Sequence, residues 1–156
     1  MKGIHHYFSE IKWTGNRGSG TTDYKSYERD YTIRINNKAI IQGSSDVAFR
    51  GDSTKHNPEE LLLASLSSCH MLWYLHLCSE QGIVVTEYID NAKGEMKEEP
   101  NGSGRFISVT LFPQVTITEK VLIDKAETLH KKANEMCFIA NSVNFHVKHC
   151  TTIKIK

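Results

Sequence analysis

Asn57-Pro58-Glu59-Glu60-Leu61-Leu62-Leu63-Ala64-Ser65-Leu66-Ser67-Ser68-Cys69-His70-Met71-Leu72-Trp73-Tyr74-Leu75-His76-Leu77-Cys78-Ser79-Glu80-Gln81-Gly82 decides the fold. Asn57 can accept the free amide hydrogens of a first helical turn, Pro58 suits the first helical position, and Glu59 and Glu60 complement the positive end of the helix dipole. No further glycine or proline intervenes before Gly82, which supplies the stop. The spacing predicts one helix of roughly six to seven turns. Leu62, Leu66, Cys69, Trp73 and Leu77 form a stripe at helical spacing. Leu61, Leu63, Ala64, Met71, Leu72, Tyr74 and Leu75 cover most of the remaining circumference, as in an interior helix.

Residues 61–79 carry no formal charge, and a membrane span needs about twenty predominantly apolar residues. Ser65, Ser67, Ser68, His70, His76 and Ser79 would be costly in lipid. No basic cluster flanks the stretch, and neither a second span nor a signal peptide is evident. The expectation is a buried helix of a protein without membrane association.

The chain has 156 residues, enough for a single domain over 1–156 that stands without disulfide staples. Nineteen basic and eighteen acidic residues leave a formal net charge of +1, so nothing in the charge points to nucleic acid or an anionic membrane. The four cysteines, with no secretion signal, suggest a reducing cytoplasm. Cys69, Cys78, Cys137 and Cys150 contain no Cys-x-x-Cys spacing, which weakens the zinc-ribbon and thioredoxin readings.

Around the helix, residues 6–13 alternate loosely and run into a glycine-rich loop, residues 14–20. Tyr31, Ile33 and Ile35 turn at Asn36-Asn37 into residues 39–42, a hairpin. Residues 83–96 and 106–117 read as a second hairpin across a turn with Pro100 and Gly102. Residues 118–136 form a shorter helix with Thr118 as its cap and Val121, Leu122, Ala126, Leu129 and Ala133 on one face. Residues 144–155 alternate as a last strand. This order favours an α+β domain over a parallel α/β fold. A helix apolar on every side needs more cover than one small sheet, so a homodimer packing these helices together is expected.

Two constellations invite chemistry. Cys69 with Cys137, which opens Cys-Phe-Ile-Ala-Asn-Ser-Val, is the first and the best clue to function, although a lone cysteine in an apolar helix is usually an inert small hydrophobe. Cys69-His70, with His146, His149 and Cys150, invites a Cys-His hydrolase or a metal site. Adjacent helical residues point about 100° apart, so His70 is a poor base for Cys69. In a strand His146 and Cys150 share a face that His149 does not, leaving too few ligands for a closed zinc site. Cys78 and Cys150 read as packing residues, and no metal is expected.

Asn57-Pro58-Glu59-Glu60-Leu61-Leu62, the following Cys69 and the Cys137 run together resemble the OsmC/Ohr family of thiol-dependent hydroperoxide reductases, closest to its OsmC-like subgroup. The resemblance covers nearly the whole chain. It implies an OsmC-like α+β fold with antiparallel sheets wrapped around a long buried central helix, in an intertwined cytoplasmic homodimer without metal or organic cofactor. It implies a peroxidatic Cys69, a resolving Cys137, and Glu59 paired with an arginine. Arg50 is the choice for that arginine and Arg17 the alternative.

The chemistry gives these assignments a reason. A thiolate must attack the peroxide, yet burial in an apolar helix raises a thiol pKa. The helix dipole fades within its first turn, and Cys69 lies about three turns beyond the helix start. A guanidinium held by Glu59 in a bidentate pair could do what the dipole cannot. Glu59 and Cys69 are separated by about 15 Å of helical rise, so the expected Arg50–Glu59 pair would serve the Cys69 of the second chain. Phe49, Met71, Trp73 and Phe138 are expected to line an apolar pocket for an organic hydroperoxide. An external dithiol, lipoyl-type in some members of the family, would reset the enzyme. A non-enzymatic dimer that binds a hydrophobic ligand or senses oxidation is the competing reading.

Overall fold

The structure is a computed structural model that describes residues 3–156. The chain divides into two compact units, residues up to 61 and residues 62–156.

In the first unit, β1 (Glu10–Trp13), β2 (Tyr31–Arg34) and β3 (Ile41–Gly43) form an antiparallel sheet in that order. The expected 31–42 hairpin is therefore present, with Asn37 at φ 60° in its turn. The glycine-rich loop is tied back by local polar contacts. Asn16 accepts the N–H groups of Gly18 and Gly20, and Arg29 lies over the rings of Tyr24 and Tyr27 while donating to both their carbonyls. Gly51 is required where it stands, because a Cβ there would lie 1.6 Å from the carbonyl oxygen of Ser45.

The long helix α1 spans Pro58–Glu80, as the sequence predicts. The Asn57 side chain accepts the Glu60 N–H at 2.8 Å, and the Glu60 carboxylate accepts the Asn57 N–H at 3.2 Å, a reciprocal capping box. At the other end Gly82 adopts φ 70° and the Ile83 N–H reaches back to the Cys78 carbonyl at 2.9 Å. By length and composition α1 could cross a membrane. In this fold it packs instead against both sheets of the second unit.

The buried stripe differs from the expected one. Leu66, His70, Tyr74 and Cys78 face inward, while Leu62, Cys69, Trp73 and Leu77 flank them half-buried and Leu72 is exposed. A helix apolar all round has no preferred face, so tertiary partners choose it. Leu66 joins Val109, Leu111 and Val147 in one core cluster, and Tyr74 and Cys78 join Ile83, Val115, Ile117, Ala126 and Ala133 in the other. Each large apolar side chain removed from water here contributes roughly 1.5–3 kcal/mol.

The three strands expected in this unit are each bent into two. β4 (Val85–Asp90), β7 (Pro113–Ile117) and β9 (Thr152–Ile155) make one sheet. β5 (Lys93–Glu98), β6 (Gly104–Leu111) and β8 (Val147–His149) make the other. All three chains cross between sheets at the same level, at residues 91–92, 112 and 150–151. Asp90 holds that corner: its carboxylate accepts the Phe112 N–H at 2.6 Å and the Ser67 hydroxyl of α1 at 2.5 Å. The hairpin pairings β4–β7 and β5–β6 are antiparallel, whereas the last chain segment joins in parallel through β6–β8 and β7–β9.

The second helix α2 spans Ile123–Met136 after a 3-10 turn at Lys120–Leu122. Thr118 does not cap it, contrary to expectation; its N–H bonds the Val84 carbonyl beyond β7, and the helix start has no side-chain cap. Ala126, His130 and Ala133 are buried, and Val121 is fully outward.

Candidate functional site

Cys69 sits on the half-buried flank of α1, and Cys137 is the buried residue that ends α2 in extended conformation. Cys69 lies near enough to Cys137 to shift its titration, and neither is in a disulfide. Burial, and then Cys69 at its side, push the Cys137 thiol up to about 11, against the pull of the Ala140 and Ile139 N–H groups. The Ala140 N–H points at the Cys137 sulfur at 3.4 Å, and the Asn141 N–H at the Cys137 carbonyl at 3.0 Å, so the turn after α2 grips this residue from both sides. At neutral pH Cys137 is a protonated thiol beside Cys69.

The neighbouring contact repeats the pattern one turn along α1. Trp73 meets Phe138 edge to face, with ring centroids 5.7 Å apart at 87°. Leu72, Trp73 and His76 line a recess of about 230 Å³. Two of the four expected pocket residues are thus brought together. Met71 lies two residues from Trp73, about 200° round the helix, and so faces another side of α1.

The remaining expected residues belong to the first unit. Phe49 closes a 3-10 turn, Val47–Phe49, and its carbonyl accepts the Ser45 hydroxyl at 3.1 Å. Arg50 follows it at φ 65°, a left-handed conformation that costs an arginine energy, and its side chain is exposed. Glu59 is half-buried near Tyr31; burial, then the Glu59 carboxylate, raise the pKa of that phenol. Among the described residues no ion pair joins Arg50 to Glu59 within the chain, while Arg17 pairs with Glu28.

Cys78 is part of the core, its thiol raised by burial with the neighbouring Tyr74 hydroxyl pulling the other way. Cys150 is exposed at the bend between β8 and β9 rather than packed. Among the described residues no group of three His, Cys, Asp or Glu side chains is arranged to hold a metal ion.

One cluster was not anticipated. His70, His130 and His149 meet in the interior, with His70 Nε2 and His130 Nδ1 3.0 Å apart and Tyr74 stacked on His130 at 3.8 Å. The signal existed: His70 shares a stripe with Leu66, Tyr74 and Cys78, and His130 lies between Ala126 and Ala133 on the buried face of α2.

Comparison with known proteins agrees with this architecture. Residues 51–152 match the family described as OsmC-like protein. The chain belongs to the OsmC-like family. Its fold superposes on an OsmC-like protein of unknown function from Vibrio cholerae O1 biovar eltor with a TM-score of 0.84 and 31% identity, over 95% of this chain and 99% of that one. A putative osmotic stress induced and detoxification response protein from Psychrobacter arcticus shares the fold at a TM-score of 0.71 and 16% identity, over 98% of this chain and 99% of that one. An organic hydroperoxide resistance protein from Elizabethkingia anophelis does so at 0.67 and 19%, with both chains wholly covered. No curated protein matches the chain. The sequence resemblance to OsmC/Ohr proteins thus holds at the level of family and fold.

Proposed function

We propose that this OsmC-like chain is a cysteine peroxidase that reduces organic hydroperoxides. The observation that carries the reading is the reduced Cys69–Cys137 pair, whose buried member keeps its proton beside the half-buried one. The Cys69 thiolate attacks the peroxide, the O–O bond breaks, and the alkoxide takes a proton and leaves as an alcohol. Sulfur is oxidised by two electrons to the sulfenic acid. Cys137 then attacks that sulfur, the S–O bond breaks, and the Cys137 proton leaves with the hydroxide as water. Oxidation of Cys69 removes a neighbouring thiolate, which eases ionisation of Cys137 when its attack is needed. An external dithiol, of lipoyl type in this reading, reduces the disulfide.

Arg50 is assigned the cationic role at the Cys69 sulfur and Glu59 the task of holding it, within a homodimer. Support for the homodimer comes from α1 itself, whose Leu72 remains 63% exposed in a single chain. Trp73 and Phe138 supply the apolar surface for the organic group. The free thiols suit a reducing, cytoplasmic setting.

The test is steady-state turnover with a dithiol, using cumene hydroperoxide and hydrogen peroxide in parallel on wild type, Cys69→Ser and Cys137→Ser. The reading requires turnover that favours the organic peroxide and vanishes in Cys69→Ser. Thiol oxidation without turnover would move the chain to the competing role of redox sensor or ligand-binding dimer.

A further inference from the structure

The buried histidines are not used in that cycle, yet they sit where its geometry is set. Beyond the core apolar contacts, the His70–His130 pair is the only side-chain hydrogen bond between α1 and α2 among the described residues. The rings lie within 5° of parallel, with centroids 5.3 Å apart, so the bond runs close to the ring planes. His149 on β8 packs against both, 5.6 Å from His70 and 6.3 Å from His130. His70 and His130 are 1% and 0% exposed, and His70 Nδ1 and His130 Nε2 find no partner. Two apolar side chains of similar volume would fill this space without those costs. What the imidazoles add is direction.

His70 is adjacent to Cys69 on α1. His130 precedes Cys137 by seven residues, two turns along the same face of α2. The histidine bond is therefore a fixed point about 10 Å along α2 from the cysteine that must meet Cys69. A rotation of α2 by about 10° around that point would move Cys137 by about 2 Å, comparable with the whole length of an S–S bond. A directional bond at the pivot suppresses such rotation better than apolar packing does, because it fails within tens of degrees and tenths of an ångström.

We propose that His70 and His130 are positioning residues for the Cys69–Cys137 disulfide: their hydrogen bond locks α1 against α2 and holds the two sulfurs in bonding reach. The inference deepens the peroxidase reading, but its test does not depend on it. The full chain is equilibrated with oxidised and reduced dithiothreitol, in which two protein thiols lose two electrons and two protons to the reagent. The Cys69–Cys137 effective concentration follows from the disulfide fraction.

His130→Leu is expected to lower that effective concentration at least tenfold. His130→Asn, whose amide can occupy the place of Nδ1, is expected to restore it to within about threefold of wild type. If His130→Leu does not fold, His130→Gln replaces it, since its amide reaches the Nε2 position and leaves the bond unmade. An unaltered effective concentration in a folded Leu or Gln variant overturns the proposal, as does an Asn variant no better than either. A wild type that forms the disulfide in the thiol buffer yet ignores hydroperoxide would sink the peroxidase reading alone.

Discussion

The Asp90 carboxylate joins the Ser67 hydroxyl of α1 to the Phe112 N–H at the point where the strands change sheet. Phe112 sits between β6 and β7, where the chain leaves one ladder and has not yet entered the other. Its amide would otherwise lack a backbone acceptor. Asp90→Ala removes both hydrogen bonds, one exposed and one part-buried, and each contributes about 0.5–1.5 kcal/mol net. The expected loss is about 2 kcal/mol in urea denaturation. Asp90→Asn keeps a single acceptor oxygen and should fall between Ala and wild type.

Acid should destabilise the second unit through its histidines. Burial, then His149, lower His70 from 6.5 to about 4; burial, then His70 and His149, lower His130 to about 3. The ionisable groups that act on the two rings are each other and His149, itself lowered by burial and by His146. No carboxylate lowers the cost of charging the rings. Because the unfolded chain takes up protons first, stability is complete above about pH 6.5 and is lost as pH falls toward about 4. One histidine titrated over that range contributes on the order of 3 kcal/mol. Urea midpoints between pH 7.5 and 4.5 check this; a midpoint that stays flat contradicts the buried cluster.

Trp73 and Phe138 should matter to the organic part of the substrate. An aromatic pair contributes about 0.5–1.5 kcal/mol beyond area burial. Phe138→Ala is therefore expected to lower kcat/KM for cumene hydroperoxide roughly three- to tenfold, with hydrogen peroxide turnover changed less than twofold. Equal losses for both peroxides would remove these rings from the pocket.

Arg50 offers a separation of stability from activity. At φ 65° glycine is more comfortable than arginine, so Arg50→Gly should leave stability unchanged or raise it by about 1 kcal/mol. Peroxidase turnover should nevertheless fall at least a hundredfold if the guanidinium serves the sulfur. Arg17→Ala, which removes only a surface ion pair with Glu28, should alter neither by much. The reverse pattern would transfer the role to Arg17.

The limits of α1 were legible because their signals are local, whereas the start of α2 was not, since Thr118 pairs with Val84 instead of capping it. Asn57, Pro58 and Gly82 act within one turn of the residues they bound, and the observed α1 obeys them. The bends were not legible, since alternation continues through residues 144–155 and the contact that turns the sheet, Ser67–Asp90–Phe112, joins residues far apart in sequence. The inward face of α1 was missed for a related reason: with apolar residues on every side, only the partners of His70 and Tyr74 could select it. Of the candidate site residues, Cys69 lies near Cys137 and Trp73 meets Phe138, each pair joining α1 to the turn after α2. The histidine cluster is invisible from the adjacency of His70 to Cys69, because it depends on His70 sharing the Leu66–Tyr74–Cys78 stripe that faces α2.

The account stands most directly on the chemistry between two sulfurs. Fully reduced protein is treated with one equivalent of cumene hydroperoxide, blocked with an alkylating reagent, digested without reduction and mapped by mass spectrometry. The account predicts a Cys69–Cys137 linked peptide as the dominant product, with Cys78 and Cys150 still alkylated, and a dimedone-labelled Cys69 in Cys137→Ser. Recovery of Cys69 and Cys137 as free thiols while the peroxide survives would contradict it.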